Sequence, residues 1–470
     1  MPQITIVGLG PGDPDLITRR AWTCLTTAPE VWCRTRRHPS VAAVAEHTQV
    51  HSYDDLYDRH DDFAAVYQAI AADVVARGEA STIVYAVPGD PSVAEATTQL
   101  IRSLAAGRGV SVTVEPGVSF LEASFAALEA DPIHGVQIVD AIDLANSYHP
   151  LGSPRQGMLV AQLYSRLLAS DVKLTLMNAY PDDHPMTLIT GAGTANLRLA
   201  TMPLFAIDRH DDFDDLTSLW APPMTHAASY TDLQEVIAHL RGPVGCPWDR
   251  EQTHESLRPY LLEETYEVLQ ALDDEDPARL VEELGDLLIQ VAMHIQIASE
   301  EGEFKLEDVI HHVTSKLVRR HPHVFGDVEV DGVDQVVRNW ESIKQAERAG
   351  AGAGPAPQKT LLDGIPRTLP ALALAQGTVE RLARVGYPLP GATAIAEAGL
   401  GQALLHLVEQ AQAAGVDAES ALRHACEGLR SRLDAVQAAA SRQGATGVVT
   451  TLVELSSAQQ RALWAEQTGG

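Results

Sequence analysis

The chain has 470 residues, 45% hydrophobic but only 5% aromatic, a length that predicts about three domains with mainly aliphatic, Ala-rich cores. The formal net charge of −29, from 34 basic and 63 acidic residues, argues against a nucleic-acid polymer or an anionic membrane as partner. A small anionic ligand stays open, because a divalent cation can bridge two negative partners.

Four scattered cysteines, Cys24, Cys33, Cys246 and Cys426, form no C-x-x-C pair, which argues against a disulfide framework or a structural zinc site. The start of the chain lacks a signal-peptide pattern, and no run of 18 apolar residues exists. A soluble cytoplasmic protein is expected.

Ile4–Val7 reads as a short buried strand, followed by the turn Gly8-Leu9-Gly10-Pro11-Gly12-Asp13-Pro14 and a helix near Leu16–Thr27. Ser81–Val87 and Val110–Val114 repeat the theme, each running into a Pro-Gly turn: Pro88-Gly89-Asp90-Pro91 and Glu115-Pro116-Gly117-Val118-Ser119. Lys173–Met177 is a further strand candidate. Strands alternating with helical patterns predict a mostly parallel α/β sheet over residues 1–220. Ligands of such sheets sit at the carboxyl ends of strands, where a Gly-rich turn lets backbone approach closely. Any tight strand-to-helix turn reads the same way, however, and Pro11 and Pro14 depart from the dinucleotide-binding pattern.

These turns, with Asn178-Ala179-Tyr180-Pro181-Asp182-Asp183 and the stretch Leu216–Pro223, resemble the tetrapyrrole methylases. Those enzymes methylate corrinoid and sirohaem precursors with S-adenosylmethionine. The resemblance spans most of residues 1–220 and implies a homodimer and a cofactor site at Gly8, Gly10, Pro11, Gly12, Asp13, Gly89, Asp90 and Pro91. It names no methyl acceptor, and a domain that keeps the fold without methyl transfer fits the residues equally well.

Ala221-Pro222-Pro223 ends this segment, and residues 228–348 read as helical. Leu280, Leu284, Leu287, Leu288, Val291 and Ile295 follow the 3.6-residue period. Beside that stripe stand Glu263, Glu264 and Glu267 on one helix and Glu283 and Asp286 on the next, with a turn expected at Leu272–Pro277. Five facing carboxylates repel unless protonated or neutralised, and hard oxygen donors suit Mg²⁺ or Mn²⁺. Two ordinary acidic helix faces are the alternative. Lys316, Arg319 and Arg320 share a face before Pro322, either as a polyphosphate clamp or as favourable charge at a helix C-terminus. Trp340 and Lys344, four residues apart, offer an apolar plate and a phosphate contact, or core packing for the indole.

Gly245-Cys246-Pro247-Trp248-Asp249, the two acidic motifs, the stretch Arg319–Phe325 and Trp340-x-x-x-Lys344 stand in the order seen in MazG pyrophosphohydrolases, which this segment resembles over about 240–348. The resemblance implies an all-α, usually dimeric module that cleaves nucleoside triphosphates to monophosphate and pyrophosphate. It implies that Glu263, Glu264, Glu267, Glu283 and Asp286 hold Mg²⁺, and that Lys316, Arg319, Arg320 and Lys344 contact the triphosphate. Trp340 and Trp248 would lie near the base, unless Trp248 only anchors a helix start. Glu264, Lys316 and Arg319 are the catalytic candidates, Glu264 as the group that takes a proton from water.

A small-residue linker spans Ala349 to Pro357. Beyond it, Leu400-Gly401-Gln402 and the basic stretch Arg430–Arg432 echo Leu284-Gly285-Asp286 and Lys316–Arg320, with Ala398, Gly399 and Gln402 where the acids stood. The expected division is a methylase-like α/β domain at 1–223, a MazG-like module at 228–348 and a degenerate second copy at 359–443. Such a pairing is known from YabN-like proteins. A methyltransferase with a helical dimerisation half, and a scaffold in which neither site turns over, are the competing readings.

Overall fold

A computed structural model describes residues 3–60, 62–226, 229–350, 361–362, 365–389, 396–443, 452 and 455–468. It divides into two compact units, Met1–His311 and His312–Gly470.

The first unit holds two sheets. One contains β1 (Gln3–Gly8), β2 (Glu30–Cys33), β3 (Gln49–Ser52), β4 (Ile83–Val87) and β5 (Ser111–Glu115), all parallel, in the order β3-β2-β4-β1-β5. Helices cover both faces, which is why its strands are near-continuous apolar runs. Ile4 and Ile6 pack against Ile70 and Val74 of the helix Phe63–Ala80, whereas Val7 packs with Ala21 and Leu25 of Arg19–Thr27.

The other sheet contains β6 (Val136–Asp140), β7 (Gly157–Ala161), β8 (Pro185–Thr190), β9 (Arg198–Pro203) and β10 (Thr217–Ala221), in the order β6-β7-β10-β8-β9. Only β6 and β7 run parallel here, so the expected mostly parallel sheet describes the first sheet alone. β8 reverses into β9 through a short loop with Gly191 and Gly193 at φ of 69° and 75°, and a short reversal makes neighbours antiparallel. Lys173–Met177 is not a strand. Lys173–Leu176 closes the helix α1 (Arg166–Leu176), and Met177 caps it. Leu168, Val172 and Leu176 are buried four residues apart, a period that a five-residue window does not display.

After Ala221 come α2 (Tyr230–Arg241), α3 (Arg258–Asp273) and α4 (Pro277–Glu301), whose core joins Ile237, Leu257, Ala292, Met293 and Ile297. α3 and α4 form a hairpin. Asp276 accepts hydrogen bonds from the backbone of Ala278 and Arg279 at 3.0 and 3.1 Å, and Pro277 opens α4 as its sequence position predicts. The periodic stripe on α4 is buried only at Ile295, while Leu284, Leu288 and Val291 are exposed. Leu262, Tyr266, Leu269 and Leu272 on α3 are exposed as well.

The second unit holds the end of α5 (Leu306–Arg320), then α6 (Val333–Gly350), α7 (Ala371–Ala383), α8 (Glu397–Ala413), α9 (Ala418–Gln443) and α10 (Ser457–Thr468). α6 continues through Ala349 and Gly350, so the linker's first two residues are helical, and 351–357 lie outside the described residues. Leu374, Leu382, Leu433, Val436, Leu463 and Trp464 build one core, which reaches past residue 443. α8, which carries Leu400-Gly401-Gln402, is largely exposed. All four cysteines are free.

Trp464 is fully buried, and its Nε1 donates to the Val385 carbonyl at 2.9 Å. Trp464→Ala therefore costs the second unit about 3–5 kcal/mol, seen by calorimetry of the whole chain as one transition moving to lower temperature.

Candidate functional site

In the first unit the α3–α4 hairpin gathers carboxylates. Ligand oxygens of Glu264, Glu267 and Glu283 lie within 4.8 Å of one another. Glu264 and Glu267 stand one turn apart on α3 and so share a face. Glu283 reaches in from α4, is buried, and accepts from Arg279 Nε at 3.1 Å. Burial, then the charges of Asp286 and Glu267, a hydrogen bond with Glu267, and Glu263 together hold the Glu264 carboxyl above its usual range. Asp286 thus acts on the group through its charge. Glu263 lies outside the close three and is exposed, because adjacent helix positions point about 100° apart.

Trp248 sits on the short helix Pro247–Glu251, with its indole exposed and edge-on to Tyr260 at 6.4 Å. It is not packed into a core.

In the second unit the expected clamp residues meet a carboxylate. Glu347 accepts from Arg319 Nε at 2.6 Å and pairs with Arg320 Nη2 at 2.7 Å. The two guanidiniums hold the Glu347 carboxyl far below its usual range, at about 2. Half-buried Trp340 has Arg320 5.5 Å and Lys344 4.6 Å from its ring centre. Trp340 and Lys344 border a cleft of about 370 Å³ that Arg381 and Arg384 also line. Lys316 is half-buried on the last turns of α5.

The sheet-bearing part of the first unit brings its three Gly/Pro turns together at the carboxyl ends of β1, β4 and β5. Gly10 and Gly89 exchange backbone hydrogen bonds of 3.3 and 2.8 Å. A Cβ on Gly8 would stand 2.5 Å from the Gly89 carbonyl oxygen, and one on Gly117 only 2.4 Å from that atom, so side chains are excluded at both positions. Asp90 ties the turns, accepting from Gly117 N at 2.9 Å and Ser92 N at 2.7 Å. Gly8, Gly10, Pro11, Gly12 and Pro91 are buried as the floor of this junction, whereas Asp13, Gly89 and Asp90 are partly exposed. Asp13 accepts from Asp15 N, and its own N–H donates to the Gly193 carbonyl at 2.8 Å.

Two groups escaped the sequence reading. Directly after β2, Arg34 makes a 2.7 Å ion pair with buried Glu95, and buried His38 is pushed down to about 4 by desolvation. The run Arg34-Thr35-Arg36-Arg37-His38, basic in so acidic a chain, was the available signal. The other is a pair of imidazoles, His254 and His294, forty residues apart in sequence and in contact in space.

Known families match both parts. The family described as Tetrapyrrole (Corrin/Porphyrin) Methylases matches residues 3–208, and the MazG nucleotide pyrophosphohydrolase domain matches residues 252–325. The chain is 43% identical over 378 residues to the uncharacterized protein YabN of Bacillus subtilis, covering 79% of this chain and 76% of that one. It is 48% identical over 156 residues to the nucleoside triphosphate pyrophosphohydrolase of Escherichia coli, covering 33% of this chain and 57% of that enzyme. Among solved structures, a cobalt precorrin-4 methyltransferase aligns with a TM-score of 0.38 and 20% identity over 47% of this chain and 94% of that one. The two family matches give an α/β domain of the tetrapyrrole methylase type followed by a helical MazG domain.

Because the Glu264 carboxyl is raised by folding, the folded chain keeps that proton to higher pH than the unfolded chain does. Metal-free stability therefore falls as pH rises through the raised value. Metal-free Glu264→Gln should melt above the parent at neutral pH, with the gap closing below the ordinary carboxylate range, as thermal scans across pH would show.

Proposed function

Since the chain belongs to the YabN-like family, which joins a tetrapyrrole methylase domain to a MazG domain, we propose that it is a Mg²⁺-dependent nucleoside triphosphate pyrophosphohydrolase. Ribo- or deoxyribonucleoside triphosphate and water would give the monophosphate and pyrophosphate. The observation that carries this reading is the convergence of Glu264, Glu267 and Glu283 within 4.8 Å, with Glu264 raised by its neighbours. An all-oxygen donor set at that separation fits Mg²⁺ or Mn²⁺; Asp286, whose charge acts on Glu264, joins it, and exposed Glu263 would join by turning inward when the ion binds. When bound, the ion supplies neutralisation of phosphate charge and a more acidic water. Glu264, at the centre of the three carboxylates, takes the proton of the attacking water. Lys316, Arg319, Arg320 and Lys344 bind the triphosphate, with Lys316 and Arg319 stabilising charge as the α–β linkage opens. Trp340 and Trp248 supply apolar surface for the base.

The working parts are residues 1–223, 228–348 and 359–443, the last without the acidic residues. The exposed apolar side chains of α3 and α4 support a homodimer in which a second copy covers them. No helix among the described residues is long and apolar enough to cross a membrane, and a nucleotide substrate favours the cytoplasm.

The first test is pyrophosphate release from a panel of triphosphates. Release should require Mg²⁺ or Mn²⁺ and fall about 100-fold or more in Glu283→Gln, the scale of losing a charge-stabilising group. A folded Glu283→Gln that still turns over would overturn the site assignment.

The junction of the three Gly/Pro turns supports a second activity, binding of S-adenosylmethionine at Gly8, Gly10, Pro11, Gly12, Asp13, Gly89, Asp90 and Pro91. Asp90→Ala leaves the Gly117 N–H without its acceptor and should weaken cofactor binding about tenfold by calorimetry. Unchanged affinity would remove Asp90 from the site.

A further inference from the structure

The α3–α4 hairpin carries a second cluster at its other end. Glu283 and Glu301 lie 18 residues apart on α4, about 27 Å along the helix at its ordinary rise, so this cluster is separate from the acidic one.

His254, in the loop before α3, faces His294 on α4 with Nδ1 to Nδ1 at 2.7 Å. The ring centres are 5.0 Å apart and the planes 12° apart, as expected of two coplanar rings joined edge to edge through those nitrogens. One proton lies between them, and burial together with His254 pushes His294 below its ordinary range. The pairing fixes the His254 ring and leaves its Nε2 for another partner.

Two carboxylates complete the group. Glu301 ends α4. Gly302 then turns the chain at φ 74°, and the Glu303 N–H donates back to Ala298 at 2.9 Å. Glu303 is thereby brought beside Glu301. Donor atoms of His254, Glu301 and Glu303 lie within 4.8 Å of one another.

Buried Arg241 ties both sides of the cluster together. Its Nη1 donates to the carbonyls of Asp249 and Gln252, two residues before His254. Its Nη2 pairs at 2.8 Å with Glu300, next to Glu301. The donors are therefore positioned by the fold rather than gathered by an ion.

We propose that His254, Glu301 and Glu303 bind a divalent transition-metal cation such as Zn²⁺, with His294 as a positioning residue. One imidazole and two carboxylates form the mixed nitrogen and oxygen set that such ions take, with water in the open position. A ligating histidine commonly has its other nitrogen held by a hydrogen-bond partner, the part His294 plays. The scattered cysteines argued only against thiolate sites. Bound there, the ion staples the start of α3 to the end of α4.

The test uses the full-length chain with Mg²⁺ in large excess, titrated with Zn²⁺ by calorimetry and with Co²⁺ by visible absorption. One Zn²⁺ per chain is expected, with Co²⁺ giving the absorption of a low-coordinate nitrogen and oxygen site. His254→Gln and the double variant Glu301→Gln/Glu303→Gln should each weaken the event about tenfold or more, the scale on which ligand-shell changes act. Both should also lose the Zn²⁺-dependent rise in melting temperature, and the double variant, whose two side chains are exposed, should keep the parent's metal-free melting temperature. Glu283→Gln should keep the event. Equal affinity in the parent and the double variant, loss of the event in Glu283→Gln, or no saturable binding would each overturn the proposal.

Discussion

Glu264, Glu267 and Glu283 are held by a helical hairpin at a separation that three ionised carboxylates in water would not choose. The rest of the hairpin makes that arrangement tolerable. Asp276 caps α4 and fixes the turn, so that Glu283 arrives opposite Glu264. Arg279 lies one helical turn before Glu283 and offsets part of its charge. The remaining repulsion keeps a proton on Glu264 beyond its ordinary range. A cluster of this kind is unfavourable electrostatically and is held by the mechanics of the hairpin. The same hairpin leaves apolar side chains of α3 and α4 exposed.

The junction in the parallel sheet solves a different problem by different means. There, backbone is the building material, and the requirement is close approach. Gly8, Gly89 and Gly117 meet at distances that leave no room for a side chain, and Asp90 uses both carboxylate oxygens to hold the turns. No described carboxylate pair is forced together at these turns. One chain thus carries one carboxylate cluster built by helices and one close backbone junction built by strand ends.

Much of this was legible in sequence because it rests on local rules. Gly-Pro turns after apolar runs announced the strand ends, and acids three residues apart announced a shared helix face. Adjacency is a limit of that reading at Glu263, which the helix's turn of about 100° per residue leaves exposed and outside the close three in the metal-free chain. Lys173–Met177 shows another limit, since five apolar-rich residues fit either period until Leu168 and Val172 are included. The antiparallel pairing of the second sheet depends on how β8, β9 and β10 return, which composition does not record. Arg34 with Glu95, and His254 with His294, are contacts between residues forty or more positions apart, set by packing rather than by spacing.

Glu347 gives the basic face of the second unit a property that its charge alone would not. Its carboxylate sits on both Arg319 and Arg320 and stays ionised down to about pH 2. Any anion that takes this arginine pair must first displace a tethered one, which is present at high effective concentration and never diffuses away. An incoming group with one or two charges gains little from that exchange, whereas a polyanion touching further cations gains more. The arginine pair is therefore not an open anion site: Glu347 makes the number of charges an incoming group carries, and not the mere presence of charge, decide whether the exchange is favourable.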